Sequence, residues 1–197
     1  MLTNSDIKFD SKWPHMYPRR TLGQISAVSI DPKGNIALFH RGDHVWNRDT
    51  FAFNNEFTLR DKGPIQQSTI ILFSKSGNVL QEWGSNMFYL PHGLTIDLLG
   101  NYWITDVAMH QVFKFDANDI DNLSDDKIKP SLVLGEEFKP GNDHIRFCKP
   151  TAVAVESNGD FFVSDGYCNS RVIKFNKNGE RILEWGRTWG GVLAGII

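Results

Sequence analysis

One pattern recurs three times along the chain: an alternating apolar run, an acidic residue, a Gly/Asn turn and a second apolar run. The copies are Ile25-Ser-Ala-Val-Ser-Ile-Asp31 with Gly34-Asn35, Pro91-His-Gly-Leu-Thr-Ile-Asp97 with Gly100-Asn101, and Pro150-Thr-Ala-Val-Ala-Val-Glu156 with Asn158-Gly159. Aligned on Asp31, Asp97 and Glu156, they lie 66 and then 59 residues apart. Period-two alternation broken by Gly and Asn reads as two short strands joined by a tight hairpin. A second half-unit repeats as well. Thr69-Ile-Ile-Leu-Phe-Ser-Lys-Ser-Gly77 through Glu82-Trp-Gly84 matches Arg171-Val-Ile-Lys-Phe-Asn-Lys-Asn-Gly179 through Glu184-Trp-Gly186. The middle copy carries Gln111-Val-Phe-Lys-Phe-Asp116, a polar insertion through Asp126, and Leu132-Val-Leu134.

Three units of four strands therefore occupy nearly all of residues 20–187, which predicts an all-β chain, a β-propeller of four-stranded blades. A β-sandwich also has many short strands, but it has no need to repeat Asp-x-x-Gly-Asn and Glu-Trp-Gly in register. Residues 1–19 read as an N-terminal segment and 188–197 as a divergent tail. Propellers close with roughly 4–8 blades, so three blades predict an incomplete, open fan with uncovered faces.

The remaining composition excludes several functions. Twenty-one basic and 23 acidic side chains are intermixed, for a formal charge of -2, so no broad positive field exists to attract nucleic acid. No apolar run approaches the roughly 20 residues that span a bilayer, and the start at Met1 lacks the basic and apolar regions of a signal peptide.

Antiparallel pairing puts the beginning of each first strand and the end of each second strand at one end of a blade. His92 opens the first strand of the middle unit, where the other copies carry Ser26 and Thr151. Asp106 and Asp165 end two second strands, suited to capping turns, and His40 takes the equivalent place in the first. Arg41 and Tyr167 fall just beyond those ends, so His92, Arg41 and Tyr167 are expected on one propeller face. Each has a plain structural alternative: a satisfied polar His92, a surface Arg41–Asp43 ion pair, a Tyr167 packed between blades. His40 and His44 have the spacing of a helical zinc pair but follow a strand into a turn, a weak metal signal; His110 and His144 carry none. Cys148 and Cys168 fall at the same end of neighbouring strands, where a disulfide or two buried thiols both fit. Asn122-Leu-Ser124 is a glycosylation sequon if the chain enters the secretory path.

Four stretches carry a resemblance: Phe39-His-Arg-Gly-Asp-His-Val-Trp46, Phe88-Tyr-Leu-Pro-His-Gly-Leu94, Gly100-Asn-Tyr-Trp-Ile-Thr-Asp106 through Lys114, and Phe161-Phe-Val-Ser-Asp-Gly-Tyr-Cys-Asn-Ser-Arg171. Over about residues 13–187 the chain resembles the peptidyl-α-hydroxyglycine α-amidating lyases, NHL-type propellers. That resemblance implies six blades and cleavage of a peptide's C-terminal α-hydroxyglycine to an amidated peptide and glyoxylate. It further implies zinc with His92 as one ligand, Tyr167 as general base, Arg41 as active-site arginine, and a Cys148–Cys168 disulfide. A structural calcium would take the backbone carbonyls of Val28 and Leu94, and a secretory or extracellular location would follow. Two further zinc histidines and a second arginine belong to family segments beyond Arg187, where this chain reads differently. The expectation is that the 197-residue polypeptide is inactive alone. The competing reading is a non-catalytic NHL interaction module, which would have no need of Tyr167.

Overall fold

A computed structural model describes residues 10–15, 22–123 and 128–186. The divergent ending 188–197 and Ser124 of the sequon lie outside the described residues. The strands form three separate four-stranded antiparallel meanders. The first blade is β1 (Ile25–Ile30), β2 (Ile36–His40), β3 (Ile70–Phe73) and β4 (Val79–Trp83). The second is β5 (Pro91–Ile96), β6 (Tyr102–Asp106), β7 (Gln111–Phe115) and β8 (Leu132–Leu134), with a short helix α1 (Ala117–Asp121) in the polar insertion. The third is β9 (Pro150–Val155), β10 (Phe161–Asp165), β11 (Arg171–Phe175) and β12 (Arg181–Gly186). Each strand falls where the repeat predicts it.

The repeated acidic residue closes the hairpin it precedes. Asp31 accepts hydrogen bonds from the Asn35 backbone N–H at 2.7 Å and its side-chain amide at 2.8 Å, and Asp97 does the same for Asn101 at 2.9 Å each. Gly34 and Gly100, at φ +81° and +86°, occupy the left-handed conformation that such a turn needs. In the third copy Gly159 keeps that conformation, while Glu156 instead pairs with Lys174 at 2.9 Å.

Alternation then sorts side chains between blades. Ala37, Phe39 and Ile70 pack with Ile104, Phe113 and Phe115 in one core between the first and second blades. The opposite-facing Trp103 and Val112 join Phe161, Val163, Ile173 and Phe175 in the core between the second and third. Trp103 and Phe161 meet at 4.4 Å between ring centroids, so truncating Phe161 to Ala would cost about 3–5 kcal/mol. On the outer face of the first blade, Leu38, Ile71 and Phe73 are covered in part by Trp13, whose ring lies 5.7 Å from Phe73. On the third blade Phe162 and Trp185 stack edge to face on the outer side, and Trp185 is 41% exposed. The first strands of the three blades lie side by side, β1 against β5 and β5 against β9.

Candidate active site

At the end of the fan where β5 and β9 begin and β2 and β10 end, three blades contribute to one cluster. His92, second residue of β5, points its Nδ1 at the Thr151 carbonyl of β9, 2.9 Å away, and its Nε2 at the Tyr167 hydroxyl, also 2.9 Å away. A carbonyl only accepts, so Nδ1 carries the proton and Nε2 presents its lone pair, which the Tyr167 hydroxyl meets as donor. Burial pushes the His92 pKa down, opposed by the Thr151 bond and helped by the positive charge of Arg41. That shift favours the neutral imidazole, the state that ligates a metal.

Arg41 leaves β2 and reaches toward the second blade. Its Nε donates to the Pro91 carbonyl and its Nη1 to Gln24 Oε1, each at 2.9 Å. The guanidinium lies 5.1 Å from the centre of the Trp46 ring, a cation–π contact. The expected alternative of an Arg41–Asp43 ion pair is not formed: Asp43 instead pairs with Lys62 at 3.1 Å. Burial lowers the Arg41 pKa, opposed by Tyr167 and Asp106.

Tyr167 is 60% exposed, its ring resting on Trp46 and His92 rather than buried between blades. Its φ is +55°, and the Cys168 N–H returns to the Gly166 carbonyl at 2.7 Å, closing a three-residue γ-turn of the rarer, positive-φ kind. The neighbouring Cys168 is joined to Cys148 in a disulfide with Cα atoms 5.6 Å apart. The bridge ties the turn to the chain entering β9. Asp165 anchors the same turn, accepting from the Cys148 N–H at 2.8 Å, Asn169 Nδ2 at 2.7 Å and Arg171 Nε at 2.8 Å.

The NHL repeat profile matches residues 88–115 and 147–175. The chain is 47% identical to peptidyl-alpha-hydroxyglycine alpha-amidating lyase 1 of Drosophila melanogaster over 96% of its own length and 34% of that protein. It is 51% identical to peptidyl-glycine alpha-amidating monooxygenase A of Xenopus laevis over 91% of the chain and 18% of the relative. Homologues at 46–49% identity over most of the chain are named peptidyl-alpha-hydroxyglycine alpha-amidating lyases. The chain spans less than half the length of these relatives. Among solved structures, streptogramin B lyase superposes with a TM-score of 0.51 over 84% of the chain and 41% of that structure, at 14% identity, which bears on the fold alone.

The remaining residues singled out in the sequence fall in several places. Val28 on β1 and Leu94 on β5 occupy equivalent repeat positions on the adjacent first strands of their blades, paired with Leu38 and Ile104. Neither belongs to the His92 cluster. Asn122 follows α1, exposed, its amide donating to the Asn118 carbonyl at 2.7 Å. His40 is buried at the end of β2, where its Nδ1 accepts the Gly42 N–H at 3.1 Å. His44 is buried in the following turn with Nδ1 donating to the Tyr89 carbonyl at 2.6 Å, so the two do not share a helix face.

Trp46 and His110 are among the residues that went unrecognised in the sequence. Trp46 sits between the others, its ring 5.0 Å from Tyr167 and 6.0 Å from His92. Its only sequence signal was its place at the end of the His-Arg-Gly-Asp-His-Val-Trp stretch. His110, given no role, is fully buried, accepts the Lys149 N–H at Nδ1 from 3.0 Å, and has its pKa pushed down to about 4 by burial and by the charge of Lys149. Nothing in its sequence neighbourhood marks it, because the contact comes from the third blade.

Proposed function

We propose that the Arg41–His92–Tyr167 cluster is part of an amidating-lyase active site acting on peptides that end in α-hydroxyglycine. The observation that carries the reading is the Tyr167 hydroxyl held 2.9 Å from His92, beside Arg41, in a chain about half identical to lyases. Tyr167, once its own hydroxyl proton has passed to the solvent that reaches its exposed ring, takes the proton of the substrate hydroxyl as general base. The freed O–H pair forms the C=O of glyoxylate, while the C–N pair leaves with the nitrogen, which takes up a proton to become the terminal amide. Arg41 uses its forked donors to hold the glyoxylate carboxylate.

Zinc fits the donor presented here. The Nδ1–H bond to Thr151 is the outer-shell contact that orients a metal-binding imidazole, and Nε2, which here meets the Tyr167 hydroxyl, is the donor atom an ion would take in place of that hydroxyl proton. Zinc, when bound, polarises the substrate hydroxyl oxygen. No group of three or more His, Cys, Asp or Glu suited to a metal forms among the described residues, so His92 would supply one ligand of the set. The Val28 and Leu94 carbonyls suit calcium, a hard ion that takes roughly six to eight oxygen ligands. The disulfide supports an oxidising, secretory or extracellular setting, where Asn122 would be available for glycosylation. No helix among the described residues is long and apolar enough to cross a membrane.

The test is a chimaera in which residues 22–186 replace the matching segment of the Drosophila lyase. Glyoxylate release from an α-hydroxyglycine peptide is expected, and Tyr167→Phe should lower it by about 10²–10⁴-fold. Unchanged turnover in that variant would sink the lyase reading and leave a non-catalytic NHL module.

A further inference from the structure

The second and third blades join their middle strands by short turns, residues 107–110 and 166–170, whereas the first blade uses residues 41–69. This long connection does not stay on its own blade. It crosses the second, where the Ile65 N–H donates to the Phe88 carbonyl at 2.8 Å, the Asn86 N–H donates back to the Ile65 carbonyl at 2.8 Å, and Phe57 stacks with Phe138. It ends its crossing on the third blade. Lys149, just before β9 and 9% exposed, donates from Nζ to Asn55 Oδ1 at 2.8 Å, with the ammonium 4.1 Å from the centre of the Phe51 ring. A lysine buried this far needs such partners, since desolvating an unpaired ammonium is costly.

Trp46 lies at the root of this strap. Phe51, held by Lys149, packs edge to face on Trp46 at 5.5 Å. The other sides of the indole meet the Arg41 guanidinium, His92 and Tyr167. Gln24 Oε1 accepts from Arg41 Nη1 and from the Trp46 backbone N–H at 3.4 Å, locking the two together. With Nε and Nη1 engaged on different segments and the guanidinium over the indole, the plane of Arg41 is set, and Nη2 has no hydrogen-bond partner among the described residues. A fork held in one orientation loses less entropy when it meets a carboxylate.

We propose that Trp46 is a positioning residue of the site: the strap, latched to the third blade by Lys149, holds the indole where it orients Arg41 against His92 and Tyr167. The inference rests on the lyase reading only for its catalytic consequence; the orientation of Arg41 can be read without turnover.

Hydrogen exchange at the Arg41 Nε–H in the full 197-residue chain, followed by NMR, is the direct measurement. Trp46→Ala should speed it at least tenfold, Trp46→Phe should hold it within about threefold, and Lys149→Met should fall between. Phe73→Leu, a packing change on the far face of the first blade, should leave it at the wild-type rate. In the chimaera, Trp46→Ala should lower kcat by about 100-fold with KM within about threefold, the scale of a misplaced catalytic group, and Trp46→Phe should restore most of it. Wild-type exchange in a folded Trp46→Ala chain, or an equal acceleration in Phe73→Leu, would overturn the positioning role. If the wild-type chimaera released no glyoxylate, the lyase reading would fall while the exchange rates still decided the role of Trp46.

Discussion

The turns that follow β6 and β10 occupy the same repeat position and begin alike. In each, a buried aspartate, Asp106 or Asp165, reaches back to a backbone N–H of the segment entering the blade: Tyr89 at 2.7 Å in the second, Cys148 at 2.8 Å in the third. In each, the residue before the next strand has positive φ, +56° at His110 and +53° at Ser170. They differ in what fills the middle. The second turn is buried, and Asp106 accepts backbone N–H groups from Tyr89, Leu90, Ala108 and Met109. The third is one residue longer, bridged by the disulfide, and pushes Tyr167 outward at a second positive φ. Burial pushes both aspartates up, opposed by backbone donors alone in the second turn and by Asn169, Arg171 and the Cys148 N–H in the third. One added residue and one cross-link turn a packing element into one that presents a phenol.

The difference in how the aspartates are balanced has the largest predicted effect. Asp165→Leu removes the nearer of the two carboxylates paired with the Arg171 guanidinium, 3% exposed, leaving Glu184 at 3.2 Å, and strands the Cys148 N–H and the Asn169 amide, so it should cost about 3–5 kcal/mol in urea unfolding. Adding Arg171→Met should return most of that loss. The hydrogen-bond partners of Asp106 are all backbone N–H groups, with no salt bridge to remove, so Gln111→Met should rescue nothing in Asp106→Leu; rescue there would show that the two turns are balanced alike.

Next in size, reducing the Cys148–Cys168 bridge should lower stability by about 3 kcal/mol, as expected for a loop of this length. Unfolding with and without reductant reads this. An undiminished midpoint would mean that Asp165 alone holds the third turn.

The pH response should distinguish the turns more finely. The folded pKa of His110, about 4, lies below its ordinary value of roughly 6.5, so on acidification the unfolded chain takes up the proton first. The stability it contributes is present above about pH 6.5 and is lost as pH falls toward 4, by about 2 kcal/mol between pH 7 and pH 5. His110→Ser, which copies Ser170 of the third turn, should remove that slope from denaturation measured at the two pH values. The smallest effect belongs to backbone strain: Tyr167→Gly should relieve the positive φ and gain about 1 kcal/mol of stability while abolishing lyase turnover. A loss of stability instead would show that the Tyr167 ring contributes more by packing on Trp46 than its backbone costs.

The blade plan was legible because each level of the sequence repeats the same statement. Asp31 and Asp97 close their own hairpins with Asn35 and Asn101, four residues away, so motif and structure are local and coincide. His92, Arg41 and Tyr167 could be assigned to one face because antiparallel pairing dictates which strand ends share an edge. The disulfide followed from the same rule together with the family resemblance. Trp46, His110 and Lys149 were not legible, since their partners come from other blades: Lys149 meets Asn55 across 94 positions of sequence. Arg41 shows the same limit from the other side. Its near neighbour in sequence, Asp43, is not its partner: the guanidinium donates to Pro91 and lies over Trp46, while Asp43 pairs with Lys62.

What the sequence determined by itself, then, is what period-two alternation and local turn chemistry control: twelve strands, three meanders and the edge on which the chemistry gathers. Only the tertiary structure decided which groups on that edge touch. Contacts between blades depend on how sheets stack and where the 41–69 strap comes down, and neither is encoded in the spacing within a blade.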